Sequence, residues 1–189
     1  MSIEDRAAKL AVIDFETLST AQNAQVLSLA ITWFYAYRVD SIYTLRKQTK
    51  SWNFATAPQY DRHVDASTED WWQEQSKFAW DAHRTEPLLH PSTVLTQLSE
   101  YCQVNDITYL VGNGIGFDNV LLKNLCEEFD KGYPVAYWGD LDLRTMRWLS
   151  DHEKLDFPQD LTPHIAADDC IYEALMFQKI FQELKTPHD

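Results

Sequence analysis

Asp14, Phe15 and Glu16 follow an apolar run from Leu10 to Ile13. On a β-strand successive side chains alternate faces, so this spacing aims both carboxylates the same way. Two acids on one face at the end of a buried strand are costly unless positive charge sits between them, and a divalent cation is the usual answer. The pattern alone is weak: Asp151-His152-Glu153 repeats it in a polar stretch with no strand leading in, and that copy reads as surface. Two other stretches offer the first pair its company. The glycines at 112, 114 and 116 loosen the backbone where a strand becomes a helix, and the loop delivers Asp118 to the strand's exit. With Phe at position 117 and no Gly-Lys-Ser/Thr, the loop is neither a dinucleotide fingerprint nor a Walker loop. Read alone, Asp118 is equally well explained as a helix cap. Further on, His164 precedes Asp168 and Asp169 at the lip of a helix, behind Thr162 and Pro163. Neighbours on a helix point about 100° apart, so one aspartate should face a site and the other solvent.

Residues 1–8 read as a polar lead-in, and 9–15 as a buried first strand. Residues 25–37, rich in β-branched and aromatic side chains, read as a second strand, and 42–49 as a third. A polar loop should fill 51–66. Ser67, with Asp70 three residues on, looks like the cap of a helix carrying Trp71, Trp72, Phe78 and Trp80, aromatics best read as core. Pro91 opens another helix, with Val94, Leu95, Leu98 and Cys102 on one face. A short strand at 107–111 leads to a helix at 120–129, a last strand is expected at 133–138, and helices at 141–149 and after Thr162-Pro163 close the chain. The fold class is therefore α/β: an antiparallel three-strand meander extended by two parallel strands and flanked by helices, in one domain over 1–189.

The 189 residues suffice for a single core, and 45% hydrophobic with 24% charged content is ordinary for a globular protein. No apolar run approaches the roughly 20 residues that cross a bilayer, and the N-terminus has no signal-peptide pattern, so a cytoplasmic protein is expected, with no membrane partner. Cys102, Cys126 and Cys170 lie far apart and should be reduced thiols. The formal net charge of −13 argues against a nucleic-acid partner by phosphate repulsion. Acids gathered around cations are neutralised, however, and Arg38, Arg46, Lys47, Lys50 and Arg62 offer local positive charge.

Taken in order, the three stretches resemble the three motifs of the DEDDh 3′-5′ exonucleases, a family with an RNase H-like fold. Asp14 and Glu16 match the first motif, Asp118 the second, and His164 with Asp169 the third. Ile165 stands where the tyrosine subclass would carry Tyr. The run from Phe15 to Ala30, Trp71-Trp72 with Gln75, and Asp142-Leu143-Arg144-Thr145 resemble the branch of phage exonuclease A, RNase AS and RNase T. The resemblance covers roughly residues 9 to 184. It implies two ions, Mg²⁺ or Mn²⁺, held by Asp14, Glu16, Asp118 and Asp169. Asp14 would bridge both, and Asp118 would act through water. His164 would be the general base. Thr17 and Leu18 would meet the terminal nucleotide, and Asn113 and Phe117 complete the substrate-binding set. The substrate would be the 3′ end of single-stranded DNA or RNA, DNA slightly favoured, and relatives of this kind are often homodimers.

Other classes compete. An acidic decoy that keeps the fold without turnover would explain the −13 charge but has no need of the full set of five residues. An RNase H-type endonuclease would use the same carboxylates, and His164 with the Thr17-Leu18 pair speaks against it. Zinc chemistry lacks clustered Cys and His ligands.

Overall fold

The computed structural model describes residues 9–150 and 156–185. The polar lead-in at 1–8 and the second acidic pair, Asp151 and Glu153, lie outside the described residues. The chain forms strands β1 (Lys9–Thr17), β2 (Val26–Tyr35), β3 (Thr49–Phe54), β4 (Leu88–Leu89), β5 (Tyr109–Gly112) and β6 (Asp140–Asp142). Between them run helices α1 (Ile42–Lys47), α2 (Ala66–Glu74), α3 (Lys77–Ala82), α4 (Pro91–Val104), α5 (Asp118–Glu128), α6 (Leu143–Leu149) and α7 (Ala166–Lys185). They build one six-stranded sheet in the order β4-β3-β2-β1-β5-β6. β1, β2 and β3 are antiparallel neighbours, while β5 joins β1, and β6 joins β5, in parallel. This is the expected mixed sheet, with the two-residue β4, parallel to β3, as an addition.

Alternation along β1 divides the interior. Ala11, Ile13 and Phe15 face one cluster, with Leu98 of α4 and Leu121, Leu122 and Leu125 of α5. Leu10 and Val12 face the other, with Cys170, Ile171, Ala174 and Phe177 of α7. Period-2 alternation therefore sends Asp14 and Glu16 toward the α7 side. The three cysteines are buried and free of disulfides.

Three local expectations shift. Residues 42–47 are helical: Ser41 Oγ accepts the Thr44 N–H at 3.2 Å, Leu45 is buried, and Arg46 and Lys47 sit in the last turn, where they suit the helix dipole. The third strand starts only at Thr49 and takes up the first part of the expected loop. Residues 133–138 make turns rather than a strand. Pro134 lacks an N–H to donate, Gly139 N–H closes a turn on the Ala136 carbonyl at 2.7 Å, and the last strand follows at Asp140. Gly139 has to be glycine here, because a Cβ would lie 2.7 Å from the Thr108 carbonyl oxygen. α2 begins earlier than Ser67: Asp65 caps it by accepting the Ser67 N–H at 2.8 Å. The expected single helix is two, since Ser76 caps α3, which carries Phe78 and Trp80; among these aromatics Trp72 is core, whereas Trp71 and Phe78 are exposed.

The register of β1 against β2 shifts between Glu16 and Thr17, where Thr17 faces Val26. The fully buried Gln59 pins that point, accepting the Val26 N–H at 2.9 Å and donating Nε2–H to the Val26 carbonyl at 2.9 Å. Gln59→Leu keeps the bulk but strands both Val26 groups, and should lower stability by about 2 kcal/mol or more. Urea denaturation measures it, and an unshifted midpoint would count against this role.

Candidate active site

Asp14 and Glu16 leave β1 on its α7 face, opposite Ala30 and Ser28 of β2. Asp169 stands in the first turn of α7. Glu16, His164 and Asp169 each offer a ligand atom, and these atoms lie within 4.8 Å of one another. Together with Asp14, Asn113, Arg147 and Glu173 they line a cavity of about 540 Å³. Asp14 Oδ2 is buried without a hydrogen-bond partner.

Asp118 is buried at the start of α5. Phe117, not Asp118, is the cap residue, and it makes no side-chain cap bond. Helix capping therefore does not account for the aspartate. Gly112 lets α5 approach the sheet closely: a Cβ there would lie 2.3 Å from Asn119 Oδ1. None of the glycines has a positive φ, so the loop needs its glycine at 112 for space rather than for a left-handed turn. Asn119 ties the helix down, donating to Asp140 Oδ1 at 2.9 Å, while Lys123 pairs with the same carboxylate.

Burial pushes the Asp14 and Glu16 carboxyls well above the usual range, and the neighbouring acids push them further. For Asp14 those neighbours are Glu16, Glu173, Asp118 and Asp169. Burial likewise raises Asp118 to about 7, against the backbone N–H groups of Gly114 and Phe15 that pull it down, and Asp169 to about 7. Without a cation, holding protons is how these groups relieve their mutual repulsion. Buried carboxylate oxygens converging with one imidazole are the donor set of a hard divalent cation such as Mg²⁺ or Mn²⁺. The unpartnered Asp14 Oδ2 has the place of a ligand atom, so the residues fit such an ion.

His164 is held on several sides. Its backbone is left-handed, with φ 63°, so the helix cannot run through it, and α7 starts at Ala166 rather than at Thr162-Pro163. Its N–H donates to Asp169 Oδ2 at 2.8 Å. Its carbonyl lies 2.9 Å from His83 Nε2, whose other ring nitrogen is 2.9 Å from Ser28 Oγ. A carbonyl only accepts, so His83 carries its proton on Nε2 and accepts the Ser28 hydroxyl on Nδ1. Burial lowers His83 to about 4 and keeps it neutral. The His164 ring meets Trp71 edge-on at 4.8 Å between centroids. Asp168 does not simply face solvent: its Oδ2 accepts the Thr162 N–H at 2.8 Å.

Asp14, Glu16, His164, Asp169 and Asn113 thus meet at one cavity, with Asp118 in electrostatic contact. Leu18 is buried against Leu27 and Trp72, and the Thr17 carbonyl accepts Trp72 Nε1–H at 2.9 Å. Phe117 packs against the core beside α5. Arg62, expected within a basic cluster, is buried and paired with Glu128. Sequence reasoning missed Glu173, Arg147 and His83. Glu173 had a signal, since four residues after Asp169 lies on the same helix face. Arg147 and His83 had none, because the groups they approach come from distant stretches of chain.

The same fold is found in solved exonucleases. E. coli exonuclease I, in a zinc-bound complex with single-stranded DNA, matches with a TM-score of 0.62 at 13% identity, over 95% of this chain and 41% of its own. Exonuclease I of Methylocaldum szegediense gives 0.64 at 14%, over 95% and 41%. The nuclease domain of 3′hExo, a DEDDh family member bound to rAMP, gives 0.61 at 12%, over 93% and 92%. The chain spans less than half the length of the exonuclease I chains and nearly all of the 3′hExo domain. The architecture is thus the RNase H-like fold of the DEDDh-type 3′-5′ exonucleases. Residues 9–181 match the Rv2179c-like 3′-5′ exoribonuclease domain, and the chain belongs to that family. Among curated proteins no sequence matches.

The raised Asp118 gives a pH test. Its folded value, about 7, lies above the ordinary 3.8, so below pH 3.8 both states are protonated and burial of the group costs nothing extra. Between 3.8 and 7 the unfolded chain releases the proton first, and stability falls as pH rises. Asp118→Asn, neutral throughout, should match the wild type at pH 3.5 and be the more stable protein at pH 8. Urea titrations in chelator measure the difference, and an equal gap at both pH values would contradict the assignment.

Proposed function

We propose that this chain is a divalent-cation-dependent 3′-5′ exonuclease that hydrolyses phosphodiester bonds from the 3′ end of a single strand. The observation that carries the reading is the convergence of Glu16, His164 and Asp169 within 4.8 Å, on a cavity that also holds the unpartnered Asp14 Oδ2. Membership of an exoribonuclease domain family supports it and favours RNA over the DNA that motif reading alone slightly preferred. The single-stranded DNA bound by E. coli exonuclease I supports a single strand as the form of substrate.

In this reading Asp14, Glu16, Asp118 and Asp169 hold two ions, Mg²⁺ or Mn²⁺. Bound ions of this kind acidify water and stabilise charge at phosphorus and on the leaving oxygen. His164 accepts the proton of the attacking water at a ring nitrogen. Burial lowers its affinity for protons, so it stands neutral and ready as a base at neutral pH. The bonds from His83 and to Asp169 fix its backbone, and the Trp71 edge limits its ring. In this reading Asn113, at the cavity wall, would meet the terminal nucleotide, with Thr17, Leu18 and Phe117, which do not line the cavity, as its support from behind.

Matched single-stranded RNA and DNA, with free or blocked 3′ ends or closed into circles, should be shortened stepwise only where a free 3′ end exists and only with Mg²⁺ or Mn²⁺. Cleavage of circles would replace this reading with an endonuclease. Asp14→Ala should abolish turnover with the fold intact, and full activity in that variant would sink the proposal. His164→Ala should slow turnover by about 10²–10⁴-fold while Mn²⁺ still binds by calorimetry. Loss of Mn²⁺ binding would instead make His164 a ligand.

A further inference from the structure

Arg147 stands in the last turn of α6 and lines the same cavity as the carboxylates. It is the only arginine or lysine among the described residues that do so. Its Nε is buried and has no hydrogen-bond partner. Among the described residues no carboxylate closes an ion pair on it, although Asp14, Glu16, Asp169 and Glu173 share the cavity wall. Glu173 is 5% exposed, feels the charge of Arg147, and leaves its own Oε2 buried and unpartnered. A guanidinium and a carboxylate thus face one cavity, each with a buried atom unsatisfied, without collapsing onto each other.

Leaving buried polar groups unmatched is costly, so such an arrangement fits a ligand that completes it. The cavity already holds more negative charge than positive, and a cation placed among acids can take an anion. The planar fork of a guanidinium matches two oxygens of a phosphate, and arginine is the side chain best suited to that geometry. Glu173 follows Asp169 by one helical turn, and its carboxyl gives the guanidinium a polar neighbour on the cavity wall while no ligand is there.

We infer that Arg147 is the phosphate contact of this site: its guanidinium takes the non-bridging oxygens of a phosphodiester in the single strand, with Glu173 as the residue that positions it. The inference rests on the proposed nuclease function and adds to it a substrate-binding residue outside the acid-and-histidine set. A purely structural Arg147, present only to offset Glu173, is the competing account.

The test is equilibrium binding of a 5′-labelled single-stranded RNA to the full chain in Ca²⁺, chosen to slow turnover, read by fluorescence anisotropy between about 50 and 200 mM salt. One phosphate contact on a single strand contributes about 0.7 to the slope of log K against log salt. Arg147→Gln should weaken binding roughly tenfold at the lower salt and reduce the slope by about that 0.7. Arg147→Lys should recover the slope and only part of the affinity, since charge returns without the fork. Lys179→Gln, an exposed change on α7 outside the cavity, should alter neither. An unchanged slope in Arg147→Gln, whether or not its melting temperature falls, overturns the inference and leaves the structural account. If the wild-type chain binds no single strand at all, the functional reading fails along with it.

Discussion

Like charges brought together in a poorly solvated place govern this structure. At an effective dielectric near 20, two carboxylates about 5 Å apart repel by roughly 3 kcal/mol, and burial adds a desolvation cost to each. Here Asp14 and Glu16 enter from the sheet, Asp118 from α5, and Asp169 and Glu173 from α7. No local propensity favours such a gathering. It stands because the same elements bury large apolar surfaces just beside it. Leu10 and Val12, four and two residues before Asp14, pack with Cys170, Ile171 and Ala174 of α7. The strand face that delivers the acids is the face that anchors the helix opposite, so the site cannot relax by separation without opening that core.

Rigidity around the cavity follows from that arrangement. A histidine facing a cavity of acids holds one orientation only if something fixes it, and His164 sits at a point where the chain is neither strand nor helix. Its left-handed backbone would be poorly determined if only neighbouring residues held it. Instead the bond to its carbonyl comes from His83, which is itself bonded to Ser28 on β2. Position 28 lies directly across the ladder from Glu16. One imidazole therefore ties His164 to the strand pairing that places an acid, and its low proton affinity keeps this tie intact near neutral pH.

Much of this was legible in the chain. Alternation in β1 placed Asp14 and Glu16 on one face without reference to anything else, and the position of His164 just ahead of the helix that carries Asp169 brought the two to one end of α7. The antiparallel start and parallel continuation of the sheet followed from the order of apolar runs. Where reading failed, a local cap or turn, or a contact with a distant stretch of chain, had decided the outcome. Residues 42–47 have composition that suits a strand, but Ser41 caps a helix and Leu45 finds a buried seat beside α7. Residues 133–138 are apolar enough to pair, yet Pro134 and the turn at Gly139 move the pairing to Asp140. His83 and Arg147 act through partners far off in sequence, for which no spacing rule exists.

The acidic balance of the chain takes on a different meaning in this setting. Beyond about 8 Å at physiological salt, exposed charges are largely screened, so most of the −13 does not reach a ligand in the cavity. What reaches it is the short-range set: carboxylates that repel phosphate when unneutralised, and one arginine that attracts it. With cations among the acids the balance at the cavity would turn, while the net charge of the chain as a whole stays negative. In the proposed reading, affinity would then be concentrated at the end of the substrate and conditional on the ions. A nuclease site that held only terminal nucleotides, and only when loaded, would release what it has cut more readily than one lined with positive charge along its approach.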